Sequence, residues 1–235
     1  MSSAWRFGRR VVAQPGREHG PADVRHAGLA AARSCHKLRY SRVKQIELFA
    51  ETRELPEGFV YQSDFISNDE EKALLDAIER VEFGEVRMHG AIAKRRVAHY
   101  GRGYEYNRAG LTEAAPVPGF LLPLRERVAS FAGRTADKFA EALVTDYPEG
   151  APIGWHRDAP PFEIIVGVSL LSDCTMHFRP WPPAKKGATR AKATQLLERR
   201  SAYILRGPSR TQWQHHIPPT KTRRISVTFR TLRRG

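Results

Sequence analysis

From Leu74 to Val81 the apolar residues Leu74, Leu75, Ile78 and Val81 recur at the spacing that puts them on one helical stripe. The run Ser67-Asn68-Asp69-Glu70 just before it is a capping box, because the Ser hydroxyl and the Glu carboxylate can each accept from an otherwise unpaired backbone N–H. A helix is therefore predicted from there to about Arg80, entered through an extended segment from Gly58 to Phe65. After Pro118 a second stripe, Leu121, Leu124, Val128 and Phe131, predicts another helix. Elsewhere the pattern favours strands, predicted over residues 86–91, 96–100, 139–147, 164–171, 175–178, 195–197, 201–205 and 225–232. Gly207-Pro208 and Pro218-Pro219 punctuate them, and residues 181–192, rich in Pro and Lys, read as a surface loop. Helices early and many short strands late predict an α+β protein, its strands in a sandwich or barrel with the two helices packed on a sheet.

Composition divides the chain unevenly. Residues 1–44 hold ten Lys or Arg against Glu18 and Asp23 and show no sustained periodicity, so they read as a basic, disordered extension with one domain at 45–235. Such an extension suits a solvated tail, a nucleic-acid-binding arm or an Arg-rich organellar address. The net charge of +14 attracts polyanions, of which nucleic acid is the commonest, although composition alone does not separate it from an anionic membrane surface. Cys35 and Cys174 are too few for a disulfide framework or a thiolate zinc site, which points to a reducing compartment. No apolar run approaches the roughly 20 residues of a membrane span. A monomer, cytoplasmic or nucleoid-associated, is expected.

The candidate chemistry lies late in the chain. In extended backbone His156 and Asp158 project from one face, so both can reach one metal while Arg157 points away. A third ligand must come from another strand, and His215 fits better than His216, which would face the opposite side. Two imidazoles and one carboxylate leave about three positions of an octahedral metal open, the arrangement of non-haem Fe(II) oxygenases. On a regular terminal strand Arg224 and Arg230 share a face with Ser226 and Thr228, while Ile225, Val227 and Phe229 face the core. Two inward arginines require anionic partners.

These residues, with Val144-Thr145-Asp146-Tyr147, Gly154 through Asp158, Gly167-Val168-Ser169-Leu170, Phe178-Arg179 and Trp213 through Pro218, form an ordered set. The chain from about Leu55 to Leu232 resembles the AlkB-like 2-oxoglutarate- and Fe(II)-dependent oxygenases. The resemblance implies a double-stranded β-helix, or jelly roll, with flanking N-terminal helices. It implies iron ligands at His156, Asp158 and His215, Arg224 on the distal carboxylate of 2-oxoglutarate, and Arg230 near the other carboxylate and Asp158. Tyr147 would bond the co-substrate; Thr145 stands where many members have Asn. The implied reaction consumes O2 and 2-oxoglutarate and hydroxylates a C–H bond, which on an N-methyl group ends in demethylation.

For substrate, residues 87–106 mix cations with flat rings, including Arg96, Tyr100, Tyr104 and Tyr106, as needed to hold phosphates and stack an extruded base. Arg179 is a further candidate for the substrate mouth. Against this, nucleic-acid members commonly carry an acid two positions after the metal Asp, where this chain has Pro160, with Glu163 as a doubtful substitute. Alkylated DNA or RNA is the expected partner; the same oxidation of a protein or small molecule is the alternative.

Overall fold

The chain divides into two units, residues 1–48 and 49–235. The structure, a computed structural model, describes residues 54–88, 91–105, 110–182 and 193–233, all in the second unit. The basic extension, the onset of order near Gln45, Tyr106 and most of the 181–192 loop lie outside the described residues.

The predicted helices form where the stripes place them. Strand β1 (Phe59–Gln62) leads into α1 (Asn68–Ile78), whose capping box is complete: Glu70 N donates to Ser67 Oγ at 3.2 Å and Ser67 N to Glu70 Oε2 at 2.8 Å. The helix buries Leu74 and Ile78. Helix α2 (Leu122–Ala132) buries Leu124, Val128, Ala129 and Ala132 and stops at Gly133, whose φ of 65° is the left-handed cap that a side chain resists.

Between and beyond the helices run β2 (Gly84–Met88), β3 (Ala91–Glu105), β4 (Gly110–Glu113), β5 (Phe139–Tyr147), β6 (Ile153–His156), β7 (Phe162–Leu170), β8 (Cys174–Pro180), β9 (Ala193–Leu197), β10 (Ala202–Leu205), the single turn α3 (Pro208–Thr211), β11 (Trp213–Ile217) and β12 (Arg224–Leu232). Among the described residues the larger sheet has the order β1-β10-β7-β12-β5-β3-β2 with β4 beside β3, and the smaller has β6-β11-β8-β9. Every pairing is antiparallel.

Period-two alternation makes two cores. One face of the larger sheet, with Val144, Val166, Val168, Ile225, Val227 and Phe229, packs on the helices. Its other face meets the smaller sheet around Phe162, Ile165, Met176, Phe178, Leu197 and Leu205. Each such buried side chain contributes roughly 1.5–3 kcal/mol. This is the jelly roll expected, with both helices outside the larger sheet.

The strand boundaries differ in instructive places. The strand read at 86–91 overlaps the end of β2, and the one read at 96–100 is the middle of a single fifteen-residue β3. Strand β7 begins two residues earlier than read, and its register with β12 shifts between Arg230 and Leu232, so that Phe162 and Ile165, three apart, both face the smaller sheet. Strands β4, β6 and β11 were not predicted. Nor was α3, where Pro208 supplies the fixed φ of a first helical residue.

Candidate active site

The pairing of β6 with β11 sets His156 directly opposite His215, with ring centroids 4.1 Å apart. Asp158 follows two residues beyond the His156 strand end, and ligand atoms of the three lie within 4.8 Å of one another. His156 Nδ1 lies 2.8 Å from the Gly154 carbonyl, so it carries the proton and leaves Nε2 for a metal. Asp158 Oδ1 accepts from Arg230 Nη2 at 3.0 Å and Nε at 3.3 Å. Its Oδ2 is buried without a hydrogen-bond partner, 3.7 Å from His215 Nε2.

The electrostatics favour the ligand forms of all three. Burial, reinforced by His156, pushes His215 down to about 3, and burial also lowers His156, so both imidazoles stay neutral. Burial alone would raise Asp158, but its charged neighbours, Arg230 foremost, outweigh it and hold the carboxyl well below the usual carboxylate range. His216 faces away: its Nδ1 lies 2.7 Å from the Ile153 carbonyl and its ring sits 5.1 Å from Trp155 and 5.8 Å from His177.

The triad opens into a cavity of about 370 Å³ between the two sheets. Strand β12 contributes Arg224, Ser226, Thr228 and Arg230 to its wall, and β5 contributes Glu141, Leu143, Thr145 and Tyr147. Arg224 is 1% exposed, donates through Nε to Ser169 Oγ at 3.1 Å and lies 5.2 Å from the Tyr147 ring centre. Its Nη1 is buried without a partner. A buried guanidinium with an unused donor is suited to one carboxylate. Sequence reasoning assigned no role to Tyr203, which stands over Gly167 and lines the same cavity.

The substrate candidates scatter. Arg96 and Tyr100 lie on the helix-facing side of β3, Arg96 bound to Asp146 at 2.6 Å and Tyr100 packed against the outer core. From the same strand it is Arg95, Val97 and His99 that reach the cavity. Tyr104 pairs its backbone with Leu111 in β4. Arg179 projects on the outer face of the smaller sheet, 4.5 Å from the Trp155 ring centre and 2.8 Å from Gln214 Oε1. Glu163 is exposed and outside the cavity lining; the carboxylate present there besides Asp158 and the rim's Glu85 is Glu141.

A family model described as the 2OG-Fe(II) oxygenase superfamily matches residues 58–230, which include the triad and Arg224. The chain belongs to that superfamily. Within it the chain is AlkB-like. It is 29% identical over 208 residues to the alkylated DNA repair protein ALKBH8 homolog of Arabidopsis thaliana, covering 75% of this chain and 58% of that protein. It is 30% identical over 173 residues to tRNA (carboxymethyluridine(34)-5-O)-methyltransferase ALKBH8 of Mus musculus, covering 71% of this chain and 25% of that protein. The chain thus spans about half and a quarter of these relatives. Its fold matches the structure of OsALKBH1 at a TM-score of 0.56 and 15% identity, over 76% of this chain and 100% of that one.

Membership in the 2OG-Fe(II) oxygenase superfamily implies iron and 2-oxoglutarate, and the residues fit both. The unpartnered Asp158 Oδ2 beside two neutral imidazoles matches the 2-His-1-carboxylate donor set, and the unpartnered Arg224 Nη1 matches an anionic co-substrate. Among the described residues no helix is long and apolar enough to cross a membrane.

Proposed function

We propose that this chain is an Fe(II)- and 2-oxoglutarate-dependent dioxygenase that removes N-linked methyl groups from nucleic acid. The observation that carries the reading is the single cavity holding both the His156-Asp158-His215 set and the Arg224 Nη1 donor. When bound, iron and 2-oxoglutarate supply the oxidation: O2 is consumed, 2-oxoglutarate becomes succinate and CO2, and one oxygen atom enters the methyl C–H, giving a hemiaminal that releases formaldehyde.

The chain's own residues bind and orient. His156, Asp158 and His215 would ligate the metal, with the Gly154 carbonyl fixing one imidazole tautomer and Arg230 aiming the Asp158 carboxylate. Arg224 would take the distal carboxylate of the co-substrate, its guanidinium fixed by the hydrogen bond to Ser169 and by the neighbouring Tyr147 ring. Tyr147 and Thr145 line the same wall and would contact the co-substrate from β5. Arg224, Thr145 and Tyr147 are each buried, which shields this end of the cavity from bulk water.

Nucleic acid as substrate is supported by the net charge of +14, by Arg87, Arg95 and Arg157 around the cavity, and by the nucleic-acid processing named in both relatives. The test is mass spectrometry of N-methylated oligonucleotides, methylated peptides and small N-methyl compounds, each incubated with protein, iron, ascorbate and 2-oxoglutarate. Loss of a methyl group from oligonucleotides is the expected result. Oxidation confined to peptides or small molecules would overturn the substrate class and leave the oxygenase.

A further inference from the structure

The outer face of the smaller sheet carries rings and cations that the metal site does not use. Strand β8 turns Met176 and Phe178 into the core, so His177 and Arg179 project outward, as do Gln214 and His216 beside them on β11. Arg179 sits 4.5 Å from the Trp155 ring centre, and the His216 ring lies 5.1 Å from Trp155 and 5.8 Å from His177. One residue beyond the end of β8, Trp181 has the Arg157 guanidinium 5.2 Å from its ring centre. Trp181 is 39% exposed, the one exposed Trp or Phe among the described residues. Arg157 is exposed and also lines the cavity, so this face begins where the cavity opens. None of β6, β8, β9 and β11 contains an Asp or Glu. The exposed carboxylates next to these strands, Asp173 before β8 and Glu198 after β9, stand at the end away from Trp181.

We propose that this face carries the single strand that flanks the nucleotide in the cavity, with Trp181 as a stacking platform beside the opening and Arg179 as a phosphate contact further along. This rests on the nucleic-acid reading above and adds to it the path of the strand. Charge complementarity selects the occupant. A face with guanidinium groups and no carboxylate attracts a polyanion, and the rings set among those cations offer stacking that an acidic peptide has no planar bases to use. Stacking suits every base because each has a π-face, so the track holds a strand without reading its sequence. Both guanidinium groups are tethered, Arg179 by Gln214 Oε1 at 2.8 Å beside the Trp155 ring and Arg157 by the Thr211 carbonyl at 3.0 Å beside the Trp181 ring. That tethering reduces the side-chain freedom lost when a strand binds.

The experiment measures, by fluorescence anisotropy over a range of salt concentrations, how the protein binds a labelled single strand of about 16 nucleotides, the upper end of common single-strand site sizes, with one N-methylated base at its centre. Iron and 2-oxoglutarate are present and O2 is excluded, so the strand is not consumed. Trp181→Ala should weaken binding about tenfold, the loss of one stacked base, with the salt dependence unchanged. Trp181→Phe, which keeps a ring, should recover most of that loss. Arg179→Gln should weaken binding and lower the slope of log K against log salt by about 0.7, one phosphate contact on a single strand, and Arg179→Lys should restore the slope. Unchanged affinity in Trp181→Ala and Arg179→Gln, or losses that neither conservative variant recovers, would overturn the track and leave the nucleic-acid reading standing. Equal losses on a polyglutamate peptide would assign the face to acidic polypeptides and overturn it as well. A wild type that forms succinate but does not bind the strand would overturn the nucleic-acid reading and this inference with it.

Discussion

Arg230 holds Asp158 by one oxygen only: Nη2 lies 3.0 Å from Oδ1, while Oδ2 stays without a hydrogen-bond partner beside His215. That division of labour orients the free oxygen at the place where the two imidazoles converge. It also lowers the cost of a carboxylate that is only 8% exposed. Replacing Arg230 by Lys keeps a positive charge but loses the fork that reaches both Asp158 and Glu141. Iron affinity should fall about 10- to 100-fold, the usual effect of removing a partner that orients a ligand. Anaerobic titration with Fe(II) followed by metal analysis reads it; an unchanged affinity would mean that Asp158 needs no such support.

Arg224→Lys should raise KM for 2-oxoglutarate while leaving iron binding within about twofold. A point charge on a flexible stem cannot reproduce the planar donor pair that Tyr147 and Ser169 hold in place. A charged hydrogen bond is worth roughly 1.5–3 kcal/mol, so the rise should exceed about tenfold. Isothermal titration of the metal-loaded protein with 2-oxoglutarate checks the same quantity without turnover.

Gly167 lies in β7 under the Tyr203 ring, and a Cβ there would collide with the ring carbons and hydroxyl. Because Tyr203 lines the cavity, Gly167→Ala should push the ring toward the co-substrate, weakening its binding and destabilising the fold by about 1–3 kcal/mol. Urea unfolding and a 2-oxoglutarate titration on the same variant would show both effects. A stable variant with normal affinity would contradict the close approach.

At the start of α1, hydrogen bonds from Arg127 and from the Ser67 backbone lower Glu70 from 4.5 to about 2. A carboxyl depressed on folding adds stability above its unfolded pKa, and that stability is lost as pH falls from about 4.5 toward 2. The pair is 43% exposed on each side, so solvent screening limits it to about 1 kcal/mol or less. Glu70→Gln should therefore be less stable than wild type at pH 7, with the gap closing as the pH drops below 4.5. A gap independent of pH would assign the effect to the cap alone.

What the sequence showed of all this depended on how cleanly the alternation ran. In β12 polar and apolar residues take strict turns from Arg224 to Arg230, and that inward set was legible without a structure. Strand β3 offered no such rhythm. Lys94, Arg95 and Arg96 put cations on both faces, so the reading chose Arg96 and Tyr100 where Arg95 and His99 face the cavity. Glu141 carried a signal that went unused, since it shares its parity on β5 with Thr145 and Tyr147. The run of Trp213 to Ile217 is too polar to read as a strand, and only its pairing with β6 sets His215 across from His156.

The central claim is that His156, Asp158 and His215, with His216 excluded, form the working metal site. Its most direct test is substrate-independent conversion of 2-oxoglutarate to succinate, measured with added Fe(II) for the wild type and for Asp158→Ala, His215→Ala and His216→Ala. Succinate should form with the wild type, disappear with Asp158→Ala and His215→Ala, and persist with His216→Ala. Undiminished turnover in Asp158→Ala, or turnover lost with His216→Ala and kept with His215→Ala, would contradict it.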